Sequence, residues 1–143
     1  MAGLIVDSSI VLSWCSPDET SGEADAIQTT VAEHGALAPG HWPLEVANAL
    51  LMAVRRRRID ARFCAAALRD LATLPIALDS ETSARAWHDT LRLAEAHHLT
   101  VYDAAYLELA QRRKLPLATL DRALSAAAGA LGVAVRAGPP RAT

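Results

Sequence analysis

Four carboxylates stand where an apolar run ends or a helix begins. They are Asp7 after Leu4-Ile5-Val6, Glu45 after Trp42-Pro43-Leu44, Asp103 within Val101-Tyr102-Asp103-Ala104-Ala105-Tyr106-Leu107, and Asp121 after Leu117-Ala118-Thr119-Leu120. If the apolar runs are parallel neighbouring strands, carboxylates at their C-terminal ends fall on one edge of a sheet. That edge is where an open α/β sheet places its ligand. Four like charges share a site only when protons or a cation offset their repulsion. Oxygen donors alone suit a hard divalent cation such as Mg2+. The chemistry expected is that of an acidic, metal-binding centre.

Each carboxylate also has a plainer reading. Asp103 and Glu108 are the charged residues of an otherwise apolar segment from Val101 to Ala110, and a buried lone carboxylate is costly unless paired or metal-bound. Five helical positions turn the chain by about 140°, so Glu108 points away from Asp103 and reaches Arg112 one turn on. Thr100-x-x-Asp103 equally fits a capping box. Asp7 stands where aspartate commonly caps a helix, although Ser8 or Ser9 can take that duty. Glu45 lies in a first turn, where the macrodipole favours an anion. Asp121 also fits a cap. The joint pattern says more than any member.

The elements that must position these groups follow from periodicity. Leu4-Ile5-Val6 reads as a buried strand, followed by a helix carrying Ile10, Val11 and Leu12. Pro17-Asp18 breaks it, Thr20-x-x-Glu23 reads as a capping box, and Ala24, Ile27 and Val31 continue at helical spacing until Gly35. Ala36-Leu37-Ala38 is a second strand. Pro43 opens a helix to about Arg57, with Glu45, Asn48, Met52 and Arg55 on one stripe beside Val46, Ala47, Leu50, Leu51 and Val54. Asp60 starts a helix that turns Cys64, Ala67, Leu68 and Leu71 inward.

Ile76-Ala77-Leu78 is a third strand, and Ala84, Trp87, Leu91 and Ala94 mark an amphipathic helix. A buried helix from Val101 to Lys114 comes next, then a strand over 117–120, an alanine-rich helix to Leu131 and a strand over Val133-Ala134-Val135. Strands alternating with helices imply an α/β fold, a small parallel sheet with helices on both faces. One domain is expected over residues 1–137, with a loose tail over 138–143.

At 143 residues the chain has the size of one domain, and its 52% hydrophobic content argues against disorder. A net charge of −2 excludes the strong positive field of a general nucleic-acid binder, so any RNA contact must be a local patch. Cys15 and Cys64 have no metal-ligand spacing, which fits a reduced, cytoplasmic protein. No basic residue stands before Asp7, so no signal peptide of ordinary form is expected. No apolar run reaches the roughly 18 residues of a membrane span.

These residues carry a resemblance. Ile5-Val-Asp7-Ser-Ser9, Pro43-Leu-Glu45-Val-Ala-Asn48, Thr100-Val-Tyr-Asp103-Ala-Ala-Tyr106-Leu and Leu117-Ala-Thr-Leu-Asp121-Arg-Ala-Leu, in this order and spacing, resemble the PIN-domain ribonucleases, specifically VapC-type toxins, from about Gly3 to Ala137. The resemblance implies a three-layer PIN-like fold and an Mg2+- or Mn2+-dependent endoribonuclease. It implies that Asp7, Glu45, Asp103 and Asp121 are the catalytic and metal-holding quartet. Ser8 or Ser9 matches the family's small hydroxyl residue, Thr119 the hydroxyl two before the last aspartate, and Asn48 a supporting position. It further implies a VapB-type antitoxin that silences the toxin, an RNA substrate and a homodimer.

Arg55, Arg56, Arg57 and Arg58 form the densest basic run. They read either as a solvated helix end or as an RNA-phosphate patch. Arg112-Arg113-Lys114 divides the same way. His97-His98 suits a helix end better than a zinc site, and Trp14, Trp42, Trp87, Tyr102 and Tyr106 suit packing better than base stacking. Rival functions have less behind them. A haloacid-dehalogenase phosphatase wants a second aspartate where Ser9 stands, and a receiver domain wants a lysine after a late strand, whereas Lys114 precedes one. No Gly-x-Gly-x-x-Gly or Walker loop supports a nucleotide-binding module. A non-catalytic partner-binding domain remains the plain alternative.

Overall fold

A computed structural model describes residues 3–16 and 22–136. The break at Pro17-Asp18, the Thr20 cap and the tail from Gly138 lie outside the described residues. The chain runs β1 (Ile5–Val6), α1 (Ser8–Trp14), α2 (Gly22–His34), β2 (Ala36–Ala38), α3 (Trp42–Arg55), α4 (Ala61–Ala72) and β3 (Ile76–Leu78). It continues through α5 (Thr82–Arg85), a π-helical turn (Ala86–Thr90), α6 (Leu91–His97), α7 (Val101–Arg113), β4 (Leu117–Ala118), α8 (Arg122–Ala130) and β5 (Val135–Arg136).

The five strands form one parallel sheet in the order β3-β2-β1-β4-β5. Ile5 stands opposite both Leu37 and Leu117, and Val6 opposite Ala118. Successive strand residues face opposite sides, which divides the core in two. Leu4, Val6, Ala36 and Ala118 pack with Ile10, Val11, Ile27, Val31, Val46, Leu50 and Leu71 from α1 to α4. Ile5, Leu37 and Leu117 pack with Tyr106, Leu107, Leu109, Leu124 and Ala127 from α7 and α8. Full burial of each aliphatic side chain contributes about 1.5–3 kcal/mol. The result is the expected three-layer α/β architecture.

The order also creates a switch point. From β1 the chain moves outward to β2 and β3, then returns to place β4 on the other side of β1. The crevice outside the C-terminal ends of two such strands is the usual ligand site of an open α/β sheet. Asp7 follows β1 there, and Thr119 and Asp121 follow β4.

Several local expectations fail for identifiable reasons. The segment over Ala84, Trp87, Leu91 and Ala94 does not keep one helical phase. The π-helical turn, with His88 at φ −118° and ψ −105°, adds a residue and rotates the helix beyond it. Trp87 is consequently 86% exposed, while Thr90 and Ala94 are buried. Leu68 on α4 and Leu51 on α3 are exposed rather than turned inward, because each helix touches the core along a narrower stripe than its apolar residues cover. Strand β4 ends at Ala118, and β5 is Val135–Arg136 rather than Val133–Val135. Among the described residues, no helix is long and apolar enough to cross a membrane.

Helix ends follow the local chemistry. Gly35, at φ +77°, closes α2 in a conformation that a side chain would strain, and a Cβ there would meet the Pro75 carbonyl at 3.2 Å. His98 and Lys114 take left-handed C-cap positions after α6 and α7. His98 is thus the helix-end residue its position suggested.

Candidate active site

Asp7 is the hub. It is buried, yet each of its carboxylate oxygens finds a donor. Oδ1 accepts the Ser9 hydroxyl at 2.6 Å and the Ile10 N–H at 3.1 Å, and Oδ2 accepts the Thr119 hydroxyl. Ser9 Oγ in turn accepts the Leu120 N–H at 2.9 Å, and Thr119 Oγ1 accepts the Asp121 N–H at 3.0 Å. The two hydroxyls tie the end of β1 to the turn after β4 across the switch point. Asp7 itself caps α1, so neither serine relieves it of that duty. The reason is that Ser9 turns its hydroxyl onto the carboxylate. Of the two candidate serines, Ser9 makes this bond.

Burial pushes the Asp7 carboxyl up from 3.8 to about 6, against the hydrogen bonds from Ser9, Thr119 and Ile10, and the Asp103 charge adds to the rise. Asp103 is also raised, first by burial, then by Asp121, with Glu45 contributing and the Thr100 hydroxyl and His41 opposing. Each acidic residue of the quartet is therefore felt by another. Asp103 is the link among them. It stands in the first turn of α7, where Thr100 caps the helix by accepting the Asp103 N–H at 3.1 Å. Asp121 caps α8 through the Leu124 N–H at 2.8 Å. Both capping readings hold, and capping leaves the carboxylates at the sheet's C-terminal edge.

Glu45 is held differently. Its Oε1 accepts the Tyr106 hydroxyl at 2.7 Å and lies 2.9 Å from His41 Nε2. Burial works to raise its pKa, but the His41 and Tyr106 hydrogen bonds outweigh it and leave the carboxyl below the usual 4.5. The His41 ring stands edge-on to Tyr106, with centroids 5.4 Å apart. Neither His41 nor Tyr106 is singled out by sequence as a site residue. His41 lies four residues before Glu45, one helical turn away, and that spacing was the available signal. Tyr106 packs as expected but also uses its hydroxyl. Tyr106→Phe is expected to cost about 2 kcal/mol and to raise the Glu45 pKa, checked by urea unfolding and carboxyl NMR titration.

The remaining candidates separate. Asn48 is exposed one turn after Glu45, and Arg55 to Arg58 are all exposed at the end of α3 and in the turn beyond. Arg112 is not available as a phosphate ligand. It is bonded to Glu108 at 2.8 Å, Asp79 at 2.7 Å and Glu81 at 3.2 Å. The Glu108–Arg112 pair is the one its spacing suggested. Tyr102 departs from its expected packing role and is 65% exposed.

The donor chemistry fits a hard divalent cation, since the quartet and its two hydroxyls offer oxygen only. The charges of Asp121 and Glu45, which add to burial in raising Asp103, also fit one. Among the described residues, no three His, Cys, Asp or Glu side chains already stand at metal-ligating spacing. The carboxylates share a neighbourhood without closing on one point.

The sequence pattern of the PIN domain matches residues 4–130. The chain belongs to the PIN-domain family. Within it, the chain sits with the VapC proteins. It is 34% identical to ribonuclease VapC3 of Pyrobaculum aerophilum over 122 residues, covering 85% of this chain and 92% of the relative. It is 32% identical to ribonuclease VapC3 of Mycobacterium tuberculosis over 128 residues, covering 87% and 86%. The fold of this PIN domain resembles the crystal structure of PAE2754 from Pyrobaculum aerophilum, with a TM-score of 0.68, 24% identity and coverage of 94% and 83%. It also resembles Mycobacterium tuberculosis VapC20, described as a sarcin-ricin loop cleaving toxin, with a TM-score of 0.61, 17% identity and coverage of 87% and 95%. Neisseria gonorrhoeae FitAcB matches with a TM-score of 0.62 at 15% identity, covering 92% and 95%.

Proposed function

We propose that this chain is a divalent-metal-dependent endoribonuclease acting in the cytoplasm as the toxin of a type II toxin–antitoxin pair. The observation that carries the reading is that, at the switch-point edge of the sheet, Asp103 adds to the rise of Asp7, and Asp121 and Glu45 add to the rise of Asp103, in each case beyond the larger effect of burial. The names of the VapC3 relatives support the activity, and those of VapC20 and FitAcB the toxin–antitoxin setting. Asp7, Glu45, Asp103 and Asp121 would hold Mg2+ or Mn2+, which supplies Lewis acidity toward water and phosphate oxygen.

The chain's own residues set the stage for that chemistry. Ser9 and Thr119 fix both Asp7 oxygens, and His41 and Tyr106 fix one Glu45 oxygen, leaving Oε2 free to turn to the centre. Fixed carboxylates lose little freedom when charge develops at phosphorus. Water rather than the ribose 2′-hydroxyl is the attacking group, so products carry 5′-phosphate and 3′-hydroxyl ends. The exposed Arg55 to Arg58 run supplies the RNA-phosphate contact, and Asn48 lies between it and Glu45 on α3. A VapB-type antitoxin places a basic or polar side chain among the carboxylates, and the toxin pairs as a homodimer.

Conditional expression in a bacterial host, followed by mapping of new 5′-phosphate RNA ends, tests the reading. Growth arrest and discrete new ends are expected with wild type, and at least about a 100-fold weaker cleavage with Asp103→Asn. Cleavage in vitro should stop with EDTA and return with Mn2+. Unaffected growth, no new ends and identical behaviour of the folded Asp103→Asn protein would overturn it.

A further inference from the structure

We propose that Tyr102 forms a nucleobase-stacking subsite at the lip of the acidic cluster, which takes an unstacked base of single-stranded RNA beside the scissile phosphate. The inference rests on the ribonuclease reading and adds to it how the substrate is gripped. Its starting point is a contrast on one helix. Tyr106 is fully buried in the core, whereas Tyr102, one turn earlier, is 65% exposed. An exposed tyrosine on a helix otherwise buried from Ala104 to Ala110 leaves apolar surface in water without a packing return.

The ring is exposed without being adrift. The Tyr102 carbonyl lies 3.2 Å from His41 Nε2, and the two rings tilt at 50° with centroids 5.8 Å apart. The same His41 nitrogen lies 2.9 Å from Glu45 Oε1. Tyr102 is thus anchored to one carboxylate, Glu45, through His41, and Asp103 follows it in the first turn of α7. That sets a held aromatic face beside the acidic cluster.

The chemistry of the ligand is set by that face. Every base has a π face, so stacking on an aromatic side chain grips RNA with little sequence demand. Single-stranded loops offer such bases already unstacked, whereas a duplex hides them. With a net charge of −2, the protein has no broad positive field to hold RNA, so a stacking contact carries a larger share of the grip. The predicted substrate is a loop or single strand rather than a helix.

The test separates base from backbone. Binding of a fluorescently labelled oligouridylate, and of an abasic ribose-phosphate chain of equal length, is measured by anisotropy in Mn2+ with the cleavage-disabled Asp7→Asn protein. The same measurement is made after adding Tyr102→Ala, Tyr102→Phe or Tyr102→Trp. Tyr102→Ala should weaken oligouridylate binding about 5- to 150-fold, Phe and Trp should restore it, and the abasic chain should bind all four proteins alike. Oligouridylate binding within about twofold of the parent after Tyr102→Ala, or an equal loss on the abasic chain, overturns the subsite. The first of these outcomes would leave the ring to a protein partner. RNA cleavage by wild type is followed separately. Tyr102-dependent base binding without cleavage overturns the nuclease reading alone, and cleavage with Tyr102-indifferent binding overturns the subsite alone.

Discussion

Replacing Asp7 with asparagine is expected to make the metal-free protein about 3 kcal/mol more stable at pH 7 while abolishing RNA cleavage. The stability half follows from burial. The Asp7 carboxyl is pushed up from 3.8 to about 6, with burial as the largest cause, and that displacement corresponds to about 3 kcal/mol. The sign is that of a raised carboxyl. At acid pH both folded and unfolded chains hold the proton, and no penalty exists. As pH rises from about 4 to 6, the unfolded chain releases its proton first, so the folded state loses stability. Above about 6 the penalty is complete.

Asparagine mimics the protonated form, still accepting the Ser9 and Ile10 donors through Oδ1. The advantage of Asp7→Asn over wild type should therefore be near zero at pH 4, grow through pH 5 and 6, and level off by pH 7. Urea unfolding in EDTA across that range measures it. Equal stability at every pH would show that Asp7 sits in no penalising environment. Added Mn2+ should reverse the order once it reaches about 1,000 times its Kd, where it adds about 4.1 kcal/mol to the protein that binds it. A site that weakens its own fold in the absence of ligand is the expected signature of a functional carboxylate.

The second large effect lies away from the reacting groups. Arg112→Met should destabilise the protein by about 3–5 kcal/mol. Arg112 is mostly buried and is bonded to the nearly buried carboxylates of Asp79 and Glu108. Removing it strands both. Those hydrogen bonds and the Arg112 charge hold the Asp79 carboxyl below its usual range despite burial. A lowered carboxyl stabilises the fold above its unfolded pKa near 3.8, and that contribution disappears as pH falls through the lower folded value. The deficit of Arg112→Met should accordingly shrink below pH 4. Arg85→Gln is the useful contrast. Arg85 also pairs with Glu81, Asp89 and Glu108, but its side chain is about a third exposed, so its loss should cost about 1 kcal/mol or less. Equal losses for the two arginines in urea unfolding would contradict this division.

The Arg112 network also bears on the site. Asp79 follows β3 at the same sheet edge as Asp7. The Thr82 hydroxyl lies 3.2 Å from Asp79 and accepts the Gly40 N–H at 2.9 Å. Gly40 precedes His41, which holds Glu45. A chain of polar contacts therefore runs from α7 through the β3 edge to the loop that carries His41, the partner of Glu45.

Much of this was legible because it depends on local pattern. Alternating apolar runs place β1, β2 and β3 where they occur, and caps at Asp60, Thr100 and Asp121 start α4, α7 and α8. The Glu108–Arg112 pair follows from one helical turn. The expectations that failed depended on packing phase. Trp87 is exposed because a π-helical turn interrupts an otherwise regular apolar period, and one inserted residue is invisible to a count of periodicity. Tyr102 and Tyr106 look alike in the sequence, one turn apart, yet one faces solvent and the other the core.

The amino-acid order alone thus dictates the strand–helix alternation and the family. Those are properties of neighbours along the chain, where propensity, capping and spacing act. It takes the folded chain to establish that β4 returns beside β1, that Ser9 and Thr119 close on Asp7 from 112 residues apart in the longer case, and that His41 and Tyr106 share Glu45. Contacts of that kind arise when a sheet folds back and buries a carboxylate among donors that no local rule brings together.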